Sequence, residues 1–210
     1  MNTNEKLLEL AYKIDAEGGT HGGSYAALLD ALRENIQELD AKKAGTAKPL
    51  KIIKKMIKSN QKNYINRFLG YIKLDPDHFA FLDGHRVFIS NSDLGYSEDE
   101  NAAGLANTLK RALEHGNATE EIEISLTEVK EQLARNKANK DKLHPLIKQL
   151  EGYKIGLNPE FLKDCFEFSG SLKFIYEKRV NVHGCNVSPL FQVDESNNVI
   201  SMLLPVNVQN

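Results

Sequence analysis

The sequence predicts an α+β protein built from a strand-helix-three-strand unit used twice, with an added N-terminal helical segment. Three observations carry that reading. A helical segment followed by three short runs rich in aromatic and β-branched residues occurs once after residue 46 and again after residue 157. Turn-forming residues separate the runs, Asp75-Pro76-Asp77 and Asp83-Gly84 in the first set. The chain has 210 residues, 41% of them hydrophobic and 27% charged, enough to bury one core with an appendage, so disorder throughout is not expected.

The expected organisation is an N-terminal helical segment and linker at 1–45 and a main domain at 46–210. Within that domain the first unit falls at about 46–92, a helical insertion at about 98–150 and the second unit at about 152–208. "NEKLLELAYKI" and "SYAALLDALRENIQEL" read as two helices joined by the glycine-rich "DAEGGTHGG". Those glycines do not form a phosphate loop, because no strand precedes them and no Gly-Lys-Ser/Thr follows; they suit a flexible linker. "DAKKAGTAK" then reads as a hinge into the main domain.

The first unit opens with "KPLKIIKKMIKSN", a helix with Pro49 in its first turn. Leu50, Ile53 and Ile57 recur at helical spacing as a buried stripe, while Lys48, Lys51, Lys54, Lys55 and Lys58 gather on other faces. "RFLGYIKL", "HFAFL" and "RVFIS" follow as a meander. The middle section reads as two helices, "SEDENAAGLANTLKRALEHG" and "SLTEVKEQLARNKANKDKLHPLIKQL", the second opened by a Ser125/Glu128 capping box. The second unit is "YKIGL" as strand, "NPEFLKDCFEF" as a helix capped by Asn158 with Pro159 in its first turn, and strands "LKFIYEK", "PLFQV" and "VISMLLPV".

The formal charge of -2 hides an asymmetry: Ala41 to Leu74 holds ten Lys or Arg residues and no acid, whereas Asp93 to Glu131 is rich in Asp and Glu. Such a block suits one surface facing DNA, and equally a set of solvated helix faces. The N-terminus shows no signal peptide and no apolar run approaches the roughly 18 residues of a membrane span, which points to the cytoplasm and no membrane partner. Cys165 and Cys185 then read as reduced thiols, Cys165 on the apolar side of its helix. Of His21, His78, His85, His115, His144 and His183, only His183-Gly184-Cys185 has metal-ligand spacing, and two ligands do not make a zinc site. Nothing in the sequence places a nucleophile beside His85, so neither an enzyme, a cofactor nor a metal is expected.

Three of these segments resemble the bacterial replicative sliding clamp, the β subunit of DNA polymerase III. "FLDGHRVFIS" resembles the family's Thr-Asp-Gly-His-Arg-Leu hairpin, "IGLNPEFLKDC" its strand-to-helix segment, and "NNVISMLLPVNV" its closing strand and apolar-Met-Pro tail. The likeness runs over roughly residues 46–210. It implies a DNA-clamp-like (processivity) fold and a hydrophobic groove for short linear peptides of DNA-handling partners. Carried over by position, the groove takes Leu82, Gly84, His85, Arg86 and Val87 from the hairpin and Met202, Leu204, Pro205 and Val206 from the tail. Lys48, Lys51, Lys54, Lys55 and Lys58 take the place of the inner-wall cations that meet duplex phosphates without reading sequence.

Three departures accompany the resemblance. The family's subunit has three such domains and closes a ring as a dimer, whereas this chain holds about one. Hairpin and tail come from different domains there and from one domain here. The helix at 159–168 carries Glu160, Asp164 and Glu167 against Lys163, an acidic wall where the family has a basic one. Two functions follow: a sliding-clamp-like accessory protein of DNA replication or repair, acting as a homo-oligomer on peptides and duplex DNA, or a non-ring interaction module that keeps the fold without encircling DNA.

Overall fold

A computed structural model describes residues 3–16, 23–62, 70–91, 94, 96, 106–114, 118, 120–139, 144–150, 153–177 and 189–206. Among them are six helices and nine strands, a mixed α+β architecture with antiparallel sheets. The chain forms two compact units, Met1–Lys51 and Ile52–Asn210, the division falling within α3 (Ala47–Lys62). None of the helices among the described residues is long and apolar enough to cross a membrane.

In the first unit α1 (Thr3–Ala16) and α2 (Gly23–Lys43) pack together, burying Ala11, Leu29 and Leu32. Arg33 of α2 donates from Nε and Nη2 to the Tyr12 hydroxyl at 3.1 and 3.0 Å. Residues 17–22 of the glycine-rich linker lie outside the described residues. The segment read as a hinge is a tight turn. Gly45 adopts φ 74°, and the N–H groups of Ala44 and Thr46 close onto the carbonyls of Asp40 and Ala41 at 2.8 and 2.7 Å. A left-handed glycine ends α2 and passes the chain straight into α3. Among the described residues no strand precedes α3, and the first of the two repeated segments is a helix followed by three strands, because residues 41–46 are consumed in closing α2.

In the second unit, β1 (Gly70–Lys73), β2 (Phe79–Leu82) and β3 (Arg86–Ser90) form one antiparallel meander and β7 (Lys173–Tyr176), β8 (Leu190–Val193) and β9 (Val199–Leu203) another. Their last strands meet, with Arg86 opposite Leu203, Val87 opposite Met202 and Phe88 opposite Ser201. β4 (Glu120–Glu123) adds to β7, giving the order β1-β2-β3-β9-β8-β7-β4. Side chains alternate across this sheet. One face receives α6 (Pro159–Ser169), whose Phe168 stacks on Phe88 at 4.7 Å and whose Phe166 meets Phe174 edge-on at 5.5 Å. Asn158 caps α6 by accepting the Glu160 N–H at 3.0 Å, and Gly170 ends it at φ 74°. The other face joins Ile72, Leu74, Ala80, Leu82, Val87 and Ile89 to Leu109 of α4 (Ala106–Leu113).

The middle section departs from the expected helices. Residues 120–123 are strand β4, and the second helix, α5 (Leu126–Ala138), stops at Asn139, whose N–H closes onto the Arg135 carbonyl at 3.0 Å. Residues 146–150 are strand β5 (Leu146–Leu150), paired with β6 (Tyr153–Leu157) in a separate ribbon. Pro145 disfavours helix for the residue before it, and Leu146, Lys148 and Leu150 alternate with the exposed Ile147 and Gln149, the period of a strand. Ser125 caps α5 through the Glu128 N–H at 3.2 Å, while the Glu128 carboxylate reaches Lys148 at 2.5 Å. α3 buries Leu50, Ile52, Ile53 and Met56, and Ile57 is only half-buried.

The β1–β2 turn is fixed by Asp75, whose Oδ1 accepts the N–H groups of Asp77 and His78 at 2.9 Å each, with His78 Nδ1 2.8 Å away. The Asp77 N–H first, and His78 next, hold this carboxyl below its ordinary value of 3.8. A depressed carboxyl contributes stability above its unfolded pKa and loses it as pH falls through the folded one. Titration followed by NMR is expected to place the Asp75 midpoint below 3.8 and to raise it toward that value in a His78→Ala, Asp77→Pro double variant, which keeps only the His78 N–H.

Candidate functional site

The Asp-Gly hairpin is built from its own side chain. Gly84 takes φ 80°, and the buried Asp83 accepts the N–H groups of His85 and Arg86 at 3.1 Å each on Oδ1 and Arg86 Nε at 2.8 Å on Oδ2. Arg86 is 4% exposed and donates from Nη1 to Asp164 Oδ2 at 2.5 Å; Asp164 is 1% exposed and also receives Lys55 Nζ at 2.6 Å on Oδ1. The Arg86 guanidinium lies 4.3 Å from the Phe161 ring centroid, and the exposed His85 ring stacks on the same Phe161 at 6.1 Å. α6 thus holds the hairpin from beneath. The tail is tied to the tip directly, since the Leu204 N–H donates to the His85 carbonyl at 2.8 Å.

Beside this junction is a cavity of about 200 Å³. Leu82, Gly84, His85, Arg86 and Val87 line it from the hairpin, and Met202 and Leu204 from the β9 end. Seven of the residues nominated from the sequence therefore surround one space. Pro205 and Val206 do not line it; the Val206 N–H instead donates to the Gly156 carbonyl at 2.9 Å, bridging the tail to β6. Leu109 and Ala112 complete the wall, and sequence reasoning missed them. Their i, i+3 spacing in "ANTLKRAL" gave a helix face but not its destination.

The walls are mainly aliphatic, suited to apolar side chains of a ligand. Arg86 shapes the wall and is not an available cation, because both of its bonded partners are buried carboxylates. His85 is the exposed polar group at the rim.

The basic helix is less uniform than its sequence. Lys48, Lys51 and Lys58 are exposed, Lys54 is half-buried, and Lys55 is paired with Asp164 and lies 3.7 Å from Glu160. Asp164 is correspondingly not part of an acidic outer wall: it points inward to Arg86, leaving Glu160 and Glu167 at the surface, with Lys163 3.7 Å from Glu167. Cys165 is fully buried, and burial pushes its thiol up to about 12, which removes it as a nucleophile. No group of three or more His, Cys, Asp or Glu suited to a metal occurs among the described residues; His21, His115, His183 and Cys185 lie outside them.

Compared with known proteins, the chain matches no family model, no curated protein and no solved structure.

Proposed function

We propose that this chain is a clamp-like accessory protein of DNA replication or repair that binds short linear peptides in the groove between the Asp-Gly hairpin and the β9 tail. The observation that supports this reading most is the convergence of hairpin and tail residues on one apolar cavity, although they come from opposite ends of the second unit. Apolar pockets with a fixed rim capture side chains of extended peptides at little ordering cost to the protein. Display of a random heptapeptide library against the intact protein tests it. Peptides with adjacent apolar side chains are expected to be enriched, and the exposed cavity-lining Leu204, changed to Glu, is expected to weaken them at least about tenfold with little change in melting temperature. Absence of enrichment sinks the reading.

A second reading, duplex binding by a homo-oligomer, is favoured by the exposed Lys48, Lys51 and Lys58 on one helix. Light scattering with a linear duplex at two salt concentrations separates it from the non-ring module. A closed oligomer whose DNA affinity falls with salt and with Lys51→Glu, Lys58→Glu supports encirclement; a monomer indifferent to DNA leaves the peptide groove alone.

A further inference from the structure

The sheet face opposite α6 is covered by α4, of which Ala106–Leu113 are described. Among its described side chains Leu109 is the buried one, at 7% exposure, with Leu113 packed half-buried on the same cluster; Asn107, Lys110 and Arg111 face outward. Leu109 and Leu113 are i and i+4, a single line of contact on Leu82, Val87, Leu74 and Ile89. Space lies on both sides of that line. The cavity of about 200 Å³ opens against Leu109 and Ala112, and another of about 540 Å³ opens against Lys110 and Leu113, with Leu74 and Ile89 in its wall. By contrast α6 is pinned to the other face by aromatic stacking, the Arg86–Asp164 pair and caps at both ends.

We infer that α4 is a built-in occupant of an apolar trough, released by local opening, and that the uncovered trough accepts an amphipathic helix with leucines at i and i+4 and a basic outer face. α4 itself shows which chemistry fits: two leucines seat in the sheet while Lys110 and Arg111 remain in solvent. With α4 lifted, the two cavities join over one continuous strip of Leu74, Leu82, Val87 and Ile89. The inference deepens the groove reading proposed above, since Leu109 and Ala112 form one wall of that groove, and it adds a regulatory step: a ligand must displace α4 or use the cavity that α4 leaves open.

Native-state hydrogen exchange on the intact wild-type chain is the first test. Amides of residues 109–113 are expected to exchange through a local opening, at least about 100-fold faster than those of β2 and β3 and with little denaturant dependence. The second uses a labelled synthetic peptide of residues 105–116, LANTLKRALEHG. It is expected to bind the full chain carrying Leu109→Ser and Leu113→Ser at least about tenfold tighter than the wild type, whose own α4 competes, and to lose binding when its two seating leucines are serine. Exchange of α4 only with global unfolding overturns the inference, as does equal binding to both chains. If the double variant does not fold, the wild-type exchange result decides. A failed library screen would remove the groove reading while leaving the opening of α4, measured without foreign peptide, intact.

Discussion

Exchanging Asp164 for asparagine is expected to lower the unfolding free energy by about 3–5 kcal/mol, the usual cost of stranding one partner of a buried ion pair. The geometry makes this a sensitive position. Asp164 is 1% exposed, its Oδ2 accepts Arg86 Nη1 at 2.5 Å, and Arg86 is itself 4% exposed. Without the carboxylate, Arg86 keeps only Asp83 and loses compensation for its buried charge. Lys55 is the control. It contacts the same carboxylate at 2.6 Å but is 49% exposed, so Lys55→Ala is expected to cost less than about 1 kcal/mol. Replacing Arg86 by methionine and Asp164 by leucine, with Asp83→Asn so that no buried charge is left unpaired, is expected to recover more than half of the loss. Urea denaturation at constant slope measures all three, and a loss under about 1 kcal/mol for Asp164→Asn would mean that the pair is solvated in solution.

Phe88→Ala is expected to be of the same size, about 3–5 kcal/mol. Phe88 is fully buried on β3, opposite Ser201 of β9, where the two meanders join, and it stacks on Phe168 of α6 at 4.7 Å. Truncation opens a cavity where sheet and helix meet and removes the ring contact. Phe88→Leu fills most of the space and is expected to lose clearly less. Because β3 and β9 connect the two helix-and-meander halves, residues 52–210 are expected to unfold in one transition, in the variant as in the wild type. Two separated transitions in calorimetry would show instead that the halves are independently stable.

The parts of the fold that were legible in the sequence are those set by local chemistry. Asn158-Pro159 opens α6, Asp75 and Asp83-Gly84 close the hairpins, and Ser125 starts α5, each through bonds within a few residues. What was misread depended on partners far away. "LIKQL" reads as the end of a helix because its strand character emerges only in pairing with β6, and "EEIE", inside the expected helical insertion, becomes a strand only through the ladder with β7. The lysines and acids of α3 and α6 read as two outer faces, but Lys55 and Arg86 converge on Asp164.

The candidate groove divides in the same way. Its hairpin and tail residues are nominated by the resemblance of "FLDGHRVFIS" and "NNVISMLLPVNV" to the clamp family, whereas Asp83-Gly84 by itself dictates no more than a turn. Leu109 and Ala112 could not be foreseen, nor could the bridging of Val206 to β6. The sequence by itself determined the α+β class, the hairpin tips and the helix caps, because backbone angles and short-range hydrogen bonds are encoded within a few residues. Only the tertiary structure decided that β3 lies beside β9, that Arg86 is neutralised from below by Asp164, and that α4 covers the sheet. Those depend on burial and charge compensation between segments distant in sequence, for which no local pattern carries a signal.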